Sequence, residues 1–478
     1  MAMLSEGKGT AVRADRQTGL AAILLALTAG VIVIFRNQLV VPVALLGALA
    51  LLAVSYRWPL PMLVGEMFLS TSAFKFLGVQ SWPHLIPGLP LDPPDILVLA
   101  FFAIGALKLL ERREQPLFLG PLLLFGLAVA LSTLLAPILQ LQTLYDSLNG
   151  LRQVTGYLFY VGVVGVVDSP GRLRWLVRIL FAFVLVTVGI QVLEALRGQQ
   201  FTTTAAPFNE YYAAQTSVSV GSLEAPYLWN RAIGYLLVGL FLALGQAFWA
   251  GSPAGYGVAL VALVGYGVQL IRQWYIFLAL GGLVLLLLLG RKRLRVVAGL
   301  GALAMSVALG LGVVAASGAP VPAANLWLGR LGTLAHFGQE PNFVIRVQSY
   351  LEELRLFCQA PLFGHGPGSA NRLGALGPFI FFDADTGMSN TLLQYGLLGT
   401  LAAWLLIGAY LQRAHRLYRT LPGALGRGYA AGLLALGAVM VAGYLTSQDF
   451  MTYIELAFAT GLALALVDRL HALGPREA

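Results

Sequence analysis

A few charged and polar residues stand where a very apolar chain has little structural need of them. Arg272 lies in QLIRQWYIFLALGG, between two apolar runs with almost no loop. Arg346 lies in NFVIRVQSYLEELRLF with no acid four positions away on either side, and Arg231 opens an apolar run in LWNRAIG. Asp383 and Asp385, in FFDADTGMSNTLLQYGLLG, precede a run that begins as a helix should, and His365 sits in PLFGHGPGSANR. Guanidinium groups keep their charge and match phosphate oxygens bidentately, so these arginines suit an anionic substrate group. A placed carboxylate can take a proton from an attacking hydroxyl. Each residue also has a plainer explanation. Arginine at a membrane boundary reaches lipid phosphates, aspartate caps a helix N-terminus, and a lone histidine among Gly and Pro holds a turn. Glu352, Glu353 and Arg355 read as a solvated face containing an i,i+3 ion pair.

The elements that must position these residues are membrane helices. The chain is 58% hydrophobic and 11% charged, far below the ~25% charged of a soluble protein. Apolar runs of spanning length recur throughout: Gly19–Phe35, Leu39–Tyr56, Pro59–Gln80, Asp95–Leu110, Pro116–Leu139, Leu148–Val167 and Trp175–Leu196, then Leu228–Ala250, Gly255–Ile271, Trp274–Gly290, Leu294–Ser317, Ser389–Leu411, Gly426–Thr446 and Met451–Leu470. The expected fold is therefore all-α, one polytopic membrane domain over 1–478 with about 14 transmembrane helices. Pro59–Gln80, which holds Glu66 and Lys75, is the weakest of these and also fits a re-entrant segment.

With the N-terminus inside, the basic segments KLLERRE, SPGRLRW, GRKRLR and QRAHRLYRTLPGALGR all fall in the cytoplasm, as positive-inside bias requires. Both termini are then cytoplasmic. Two longer segments fall outside: the polar Arg197–Pro226 and a large loop, 318–388, in which Asn342–Cys358 has the spacing of an amphipathic interfacial helix. The net charge of +9 comes largely from the basic loops, so it marks orientation rather than nucleic-acid binding. A single cysteine, Cys358, excludes an internal disulfide. There is no Walker loop, no HExxH and no His/Cys cluster, so neither an ATP-driven pump nor a catalytic metal is expected. Polar residues gathered on one outer face favour a surface-acting enzyme over a transporter.

RVQSYLEELRLFCQAPLFGHGPG (Arg346–Gly368) followed by DTGMSNTLLQYGLLG (Asp385–Gly399) resembles the signature region of the O-antigen ligase/polymerase superfamily, and the Arg272 segment resembles it more loosely. The resemblance implies a metal-independent membrane glycosyltransferase that needs no cofactor. Its donor would be a glycan linked through pyrophosphate to a polyprenol, undecaprenol in bacteria. Arg272 and Arg346 would bind the pyrophosphate, with Arg231 as a further candidate. Register from GLLG puts Asp385 where ligases carry histidine, and the D-x-G-x-x-N spacing ending at Asn390 is more like the polymerase branch. Asp385 would be the base or orient the acceptor, Asp383 the reserve, and Asn390 and His365 further acceptor contacts. Implied partners are the lipid-linked donor, a glycan acceptor, membrane lipids and a chain-length regulator protein. The implied location is the bacterial inner membrane, with the site facing the periplasm or cell exterior. An O-antigen ligase, a protein O-oligosaccharyltransferase and, in another class, a lipid-linked sugar flippase remain the alternatives.

Overall fold

The computed structural model describes residues 56–57, 59–70, 93–197, 217–220, 223–226, 232–269, 272–290, 341–369, 387–446, 450–451 and 454–474. The chain divides into two compact units, Met1–Leu63 and Val64–Ala478. Among described residues the first holds only Tyr56, Arg57 and the opening of α1, and the second holds every other element. The helices are α1 (Pro59–Ser70), α2 (Pro93–Arg112), α3 (Leu119–Ile138), α4 (Leu144–Gly150), α5 (Gly156–Val166), α6 (Pro170–Arg197), α7 (Ile233–Ala250) and α8 (Pro253–Gln269). They continue with α9 (Arg272–Leu289), α10 (Pro341–Phe357), α11 (Met388–Thr420), α12 (Ala424–Thr446) and α13 (Ile454–Leu473). An antiparallel hairpin, β1 (Ser217–Val220) with β2 (Leu223–Pro226), adds strand to a fold expected to be all-α.

Proline sets many of the boundaries. Pro59, Pro93, Pro170, Pro253 and Pro341 are each the first residue of a helix, where the missing N–H costs nothing. Among the described residues, six helices are long and apolar enough to cross a membrane: α3, α6, α7, α11, α12 and α13. α5, α8 and most of α9 are apolar but shorter. The chain is a polytopic helical membrane protein. Of the expected spans, Gly19–Phe35, Leu294–Ser317 and nearly all of Leu39–Tyr56 lie outside the described residues, as does 71–80 of Pro59–Gln80.

Not every expected span is continuous. Leu148–Val167 divides into the end of α4, a 3-10 turn (Leu151–Val154) and α5, whose 11 residues reach only about 16 Å. α4 is capped by Thr143, whose hydroxyl accepts from Asp146 N at 3.1 Å. A Cβ on Gly150 would fall 2.1 Å from the Pro367 carbonyl oxygen, so α4 ends against the loop after α10. α11 runs the other way in size: it joins two helices at a break at Gly396, and the part after the break, 397–420, rises about 36 Å against a ~30 Å hydrocarbon layer. It absorbs much of the basic segment expected to be a loop.

Helix contacts define two ends. At one, Arg112 donates to the Gly165 carbonyl at 2.8 Å, and Asp168 pairs with Arg172 at 2.8 Å. Asp468 there accepts from Leu117 N at 2.7 Å and from the Tyr160 hydroxyl at 2.6 Å, and buried Arg469 pairs with Asp468 and Glu114. At the other end lie α4, α10 and the start of α11. Here Asp95 and Arg152 pair at 2.9 Å, bringing the start of α2 to the 3-10 turn. Between the ends the helices pack closely: Gly245 and Gly428 let α7 and α12 touch backbone to backbone, a Cβ on the first falling 2.0 Å from the second's carbonyl oxygen.

Candidate active site

α10, the loop Cys358–Ser369 and the first turns of α11 form one continuous unit. The α11 helix is interrupted at Gly396, whose φ of 66° and ψ of −163° are not helical. The backbone groups released there are taken up by the loop. His365 N donates to Leu393 O at 2.8 Å and Gly366 N to Gln394 O at 3.0 Å, while Leu397 N donates to Pro361 O at 2.9 Å and Leu398 N to Leu362 O at 3.3 Å. Such pairing meets the requirement that broken backbone at membrane depth be satisfied inside the protein. It also explains the glycines. Gly364 and Gly396 have positive φ, and a Cβ on either would fall 2.5 Å or less from the other strand's backbone.

Side chains lock this unit to its neighbours. Gln394 donates through Nε2 to Asn390 Oδ1 at 2.7 Å and accepts at Oε1 from Gly368 N at 2.9 Å. The Ser132 hydroxyl of α3 donates to the Gln394 carbonyl at 2.7 Å. Gln142 Nε2 donates to Ser147 Oγ at 2.6 Å and to Pro367 O at 3.2 Å. Several buried polar atoms here have no hydrogen-bond partner among the described residues: Gln142 Oε1, Ser349 Oγ and Ser369 Oγ.

α10 presents an unusual pair of faces. Val347 and Leu351 are 43% and 61% exposed, whereas Ser349 and Glu353 are almost wholly buried. Apolar residues outward and polar ones inward suit a membrane boundary rather than open water, in line with the expected interfacial helix. The Ser389 hydroxyl, near the start of α11, donates to Glu353 Oε2. Arg346 precedes Ser349 by three positions and Glu353 by seven, so its backbone position falls on the same helical face.

Two of the expected site residues, Asn390 and His365, fall within this loop–helix unit. Asn390 bonds Gln394, and His365 is buried with its Nε2 bonded to the Leu356 carbonyl at 2.9 Å, which fixes the proton on that nitrogen. Arg272 is the first residue of α9 and Arg346 lies within α10, but their side chains lie outside the described residues. Arg231, Asp383 and Asp385 lie outside them altogether. Glu353 stands beside the Glu352–Arg355 pair expected on a solvated face. The Glu352–Arg355 pair does form, at 3.6 Å, but Glu353 turns inward to Ser389. The signal available was its spacing from Arg346 and Ser349, which sets it apart from Glu352 and Arg355. No cluster of three or more metal-ligating side chains occurs among the described residues.

No protein-family model matches the chain, and no curated protein matches it. A solved structure described as "Structural coordination of polymerization and crosslinking by a peptidoglycan synthase complex" is similar with a TM-score of 0.37 and 19% identity, covering 74% of this chain and 97% of that chain.

Proposed function

We propose that this protein is a membrane glycosyltransferase that polymerises polyprenyl-pyrophosphate-linked oligosaccharide repeat units into O-antigen or exopolysaccharide on the extracytoplasmic face. The observation that carries the reading is the pairing of the two segments on which the family resemblance rests. PLFGHGPG and the start of LLQYGLLG are joined by four backbone hydrogen bonds, with buried Glu353 tied to Ser389 beside them. A motif divided in sequence is one object in space, placed where a loop re-enters the helices.

The reaction is an inverting transfer that needs no metal. An acceptor sugar hydroxyl attacks the anomeric carbon of the donor, and its proton passes to Asp385, with Asp383 in reserve. The bond between that carbon and the pyrophosphate oxygen breaks, releasing polyprenyl pyrophosphate. Arg272 and Arg346, assisted by Arg231, stabilise the departing anion. Asn390 and His365 serve the acceptor side as parts of the loop–helix unit. Glu353 is a positioning residue: through Ser389 it fixes the start of α11, four residues after Asp385.

The broken helix also favours a second reading, a lipid-linked sugar flippase, because transporters build sites on interrupted helices. Against it, the freed backbone groups at Gly396 are bonded to the loop instead of facing a path. The deciding experiment uses purified protein in proteoliposomes with undecaprenyl-pyrophosphate-linked repeat units. A ladder of lengthened lipid-linked glycans should form without lipid A core, and Asp385→Asn and Arg346→Ala should each slow it by about 10²–10⁴-fold. Transfer only to lipid A core identifies a ligase, and transbilayer movement without bond formation identifies a flippase; either result rejects polymerisation.

A further inference from the structure

Away from the α10–α11 unit, the fully buried polar side chains with unsatisfied groups include Gln191 on α6, Gln269 at the end of α8, and Trp274 in the first turn of α9. Both amide atoms of each glutamine and the Trp274 indole nitrogen have no hydrogen-bond partner among the described residues. The end of α8 links them. Gln191 Oε1 lies 2.9 Å from where a Cβ on Gly265 would sit, so the missing side chain lets this amide lie against α8. Gln269 follows Gly265 by one helical turn. Between them Tyr266 packs against Trp274, with ring centroids 5.8 Å apart. Phe277 packs on the indole as well, at 5.6 Å, so the ring is held by aromatic neighbours while its N–H stays unbonded.

Protein interiors rarely leave so many polar atoms unbonded in one spot, and such groups mark an unseen partner. The donor and acceptor inventory restricts what that partner is. The cluster offers two amide NH2 groups, two amide carbonyls and one indole N–H, with no charged group among them. A phosphate or carboxylate only accepts and would leave both carbonyls unbonded. An ammonium only donates and would leave every N–H unbonded. Hydroxyl groups do both. We propose that Gln191, Gln269 and Trp274 form a binding site for a neutral polyhydroxyl group, a sugar ring or a glycerol headgroup. The site stands at the same end of the bundle as the first residue of α9, Arg272, and does not depend on the glycosyltransferase reading.

The test is thermal unfolding of the full-length protein in lipid nanodiscs with hexyl β-glucoside, hexyl glyceryl ether or hexanol. The Gln191→Met/Gln269→Met variant should melt above wild type without any probe, because orphaned amides have been replaced by apolar groups of similar shape. One polyol probe should raise the wild-type melting temperature, and its apparent affinity should fall about tenfold or more in the variant. Glucoside preference identifies a sugar and glyceryl ether preference a lipid headgroup, and both support the site. Trp274→Phe, which keeps the aromatic packing, should weaken the same probe. The proposal is overturned if the double variant melts below wild type, if neither polyol shifts wild type, or if hexanol reproduces the shift. No probe contains phosphate or polyprenol, so these results stand whether or not the protein polymerises glycans.

Discussion

The two ends of the bundle solve the burial of polar groups in opposite ways. At the Arg469 end, charges carry the structure. Arg112 on α2, Arg172 on α6 and Arg469 on α13 bond carbonyls of α5 and the carboxylates of Glu114, Asp168 and Asp468. Among the described residues there, the side-chain atoms without a hydrogen bond are the Nε atoms of Arg112 and Arg469, the first of which still pairs with Glu114 at 3.5 Å. At the α10 end the described polar groups are mostly amides and hydroxyls, and many stay unbonded, among them Gln142 Oε1, Ser349 Oγ, Ser369 Oγ and the Gln191–Gln269–Trp274 cluster. An end saturated with ion pairs holds helices in register. An end with unspent hydrogen-bonding capacity is equipped to meet something else.

That contrast can be broken first by asking which way the molecule faces. Cys358, the sole cysteine and exposed at the α10 end, should react with a membrane-impermeant thiol reagent in intact cells. Labelling only after lysis would turn the molecule over and move the proposed site to the cytoplasm. Next in size is Arg469→Met, which leaves buried Asp468 without its cation and Glu114 with Arg112 at 3.5 Å, and should cost about 3–5 kcal/mol in unfolding free energy. Its folded fraction should still catalyse normally; a loss of turnover per folded molecule would show that the two ends are coupled.

Glycine sharpens the comparison further. Gly396→Ala places a Cβ 2.4 Å from the Leu362 backbone at a positive φ, and should cost about 2–4 kcal/mol through strain and overpacking, together with the loop–helix pairing. Gly251→Ala, at the opposite end of α7, has a similar φ of 64° but open space around it, and should cost only about 1 kcal/mol. Equal losses in thermal unfolding would mean that the loop does not brace the break. Smallest is Arg355→Ala. Its 77%-exposed partner role with Glu352 should be worth about 0.5 kcal/mol or less, measured against a Glu352→Ala background.

The legible part of this protein was set by local physics. Long apolar runs marked α3, α6, α7, α12 and α13, and the spacing of Phe343, Val347 and Leu351 marked α10 within a residue of its observed ends. What stayed hidden depends on partners far along the chain. LLQYGLLG reads as plain apolar helix; its break is imposed by carbonyls of Pro361 and Leu362 and the amides of His365 and Gly366. Glu353 sat among charges that suggested water, while Ser389 draws it inward. Gln191 is one amide in a long apolar helix, and only Gly265 on another helix shows where it lies. The β1–β2 hairpin did have a local signal, the alternating SVSV followed by Gly-Ser and a second short strand, which the polar composition of the segment obscured.

The ion-pair end has a further consequence for biosynthesis. Glu114 and Arg469 are separated by 355 positions, and Leu117 reaches Asp468 across 351. At translation rates of ~5–20 residues per second, the Leu117 amide waits about 20–70 s for the carboxylate that accepts from it. Until α13 is made, Glu114 has Arg112 at 3.5 Å as its cation, and the Leu117 amide must be carried by water or the insertion machinery. A ribosome that stops short of Arg469 thus releases a chain whose early helices are complete yet unclasped, and which membrane quality control can recognise by that missing clasp.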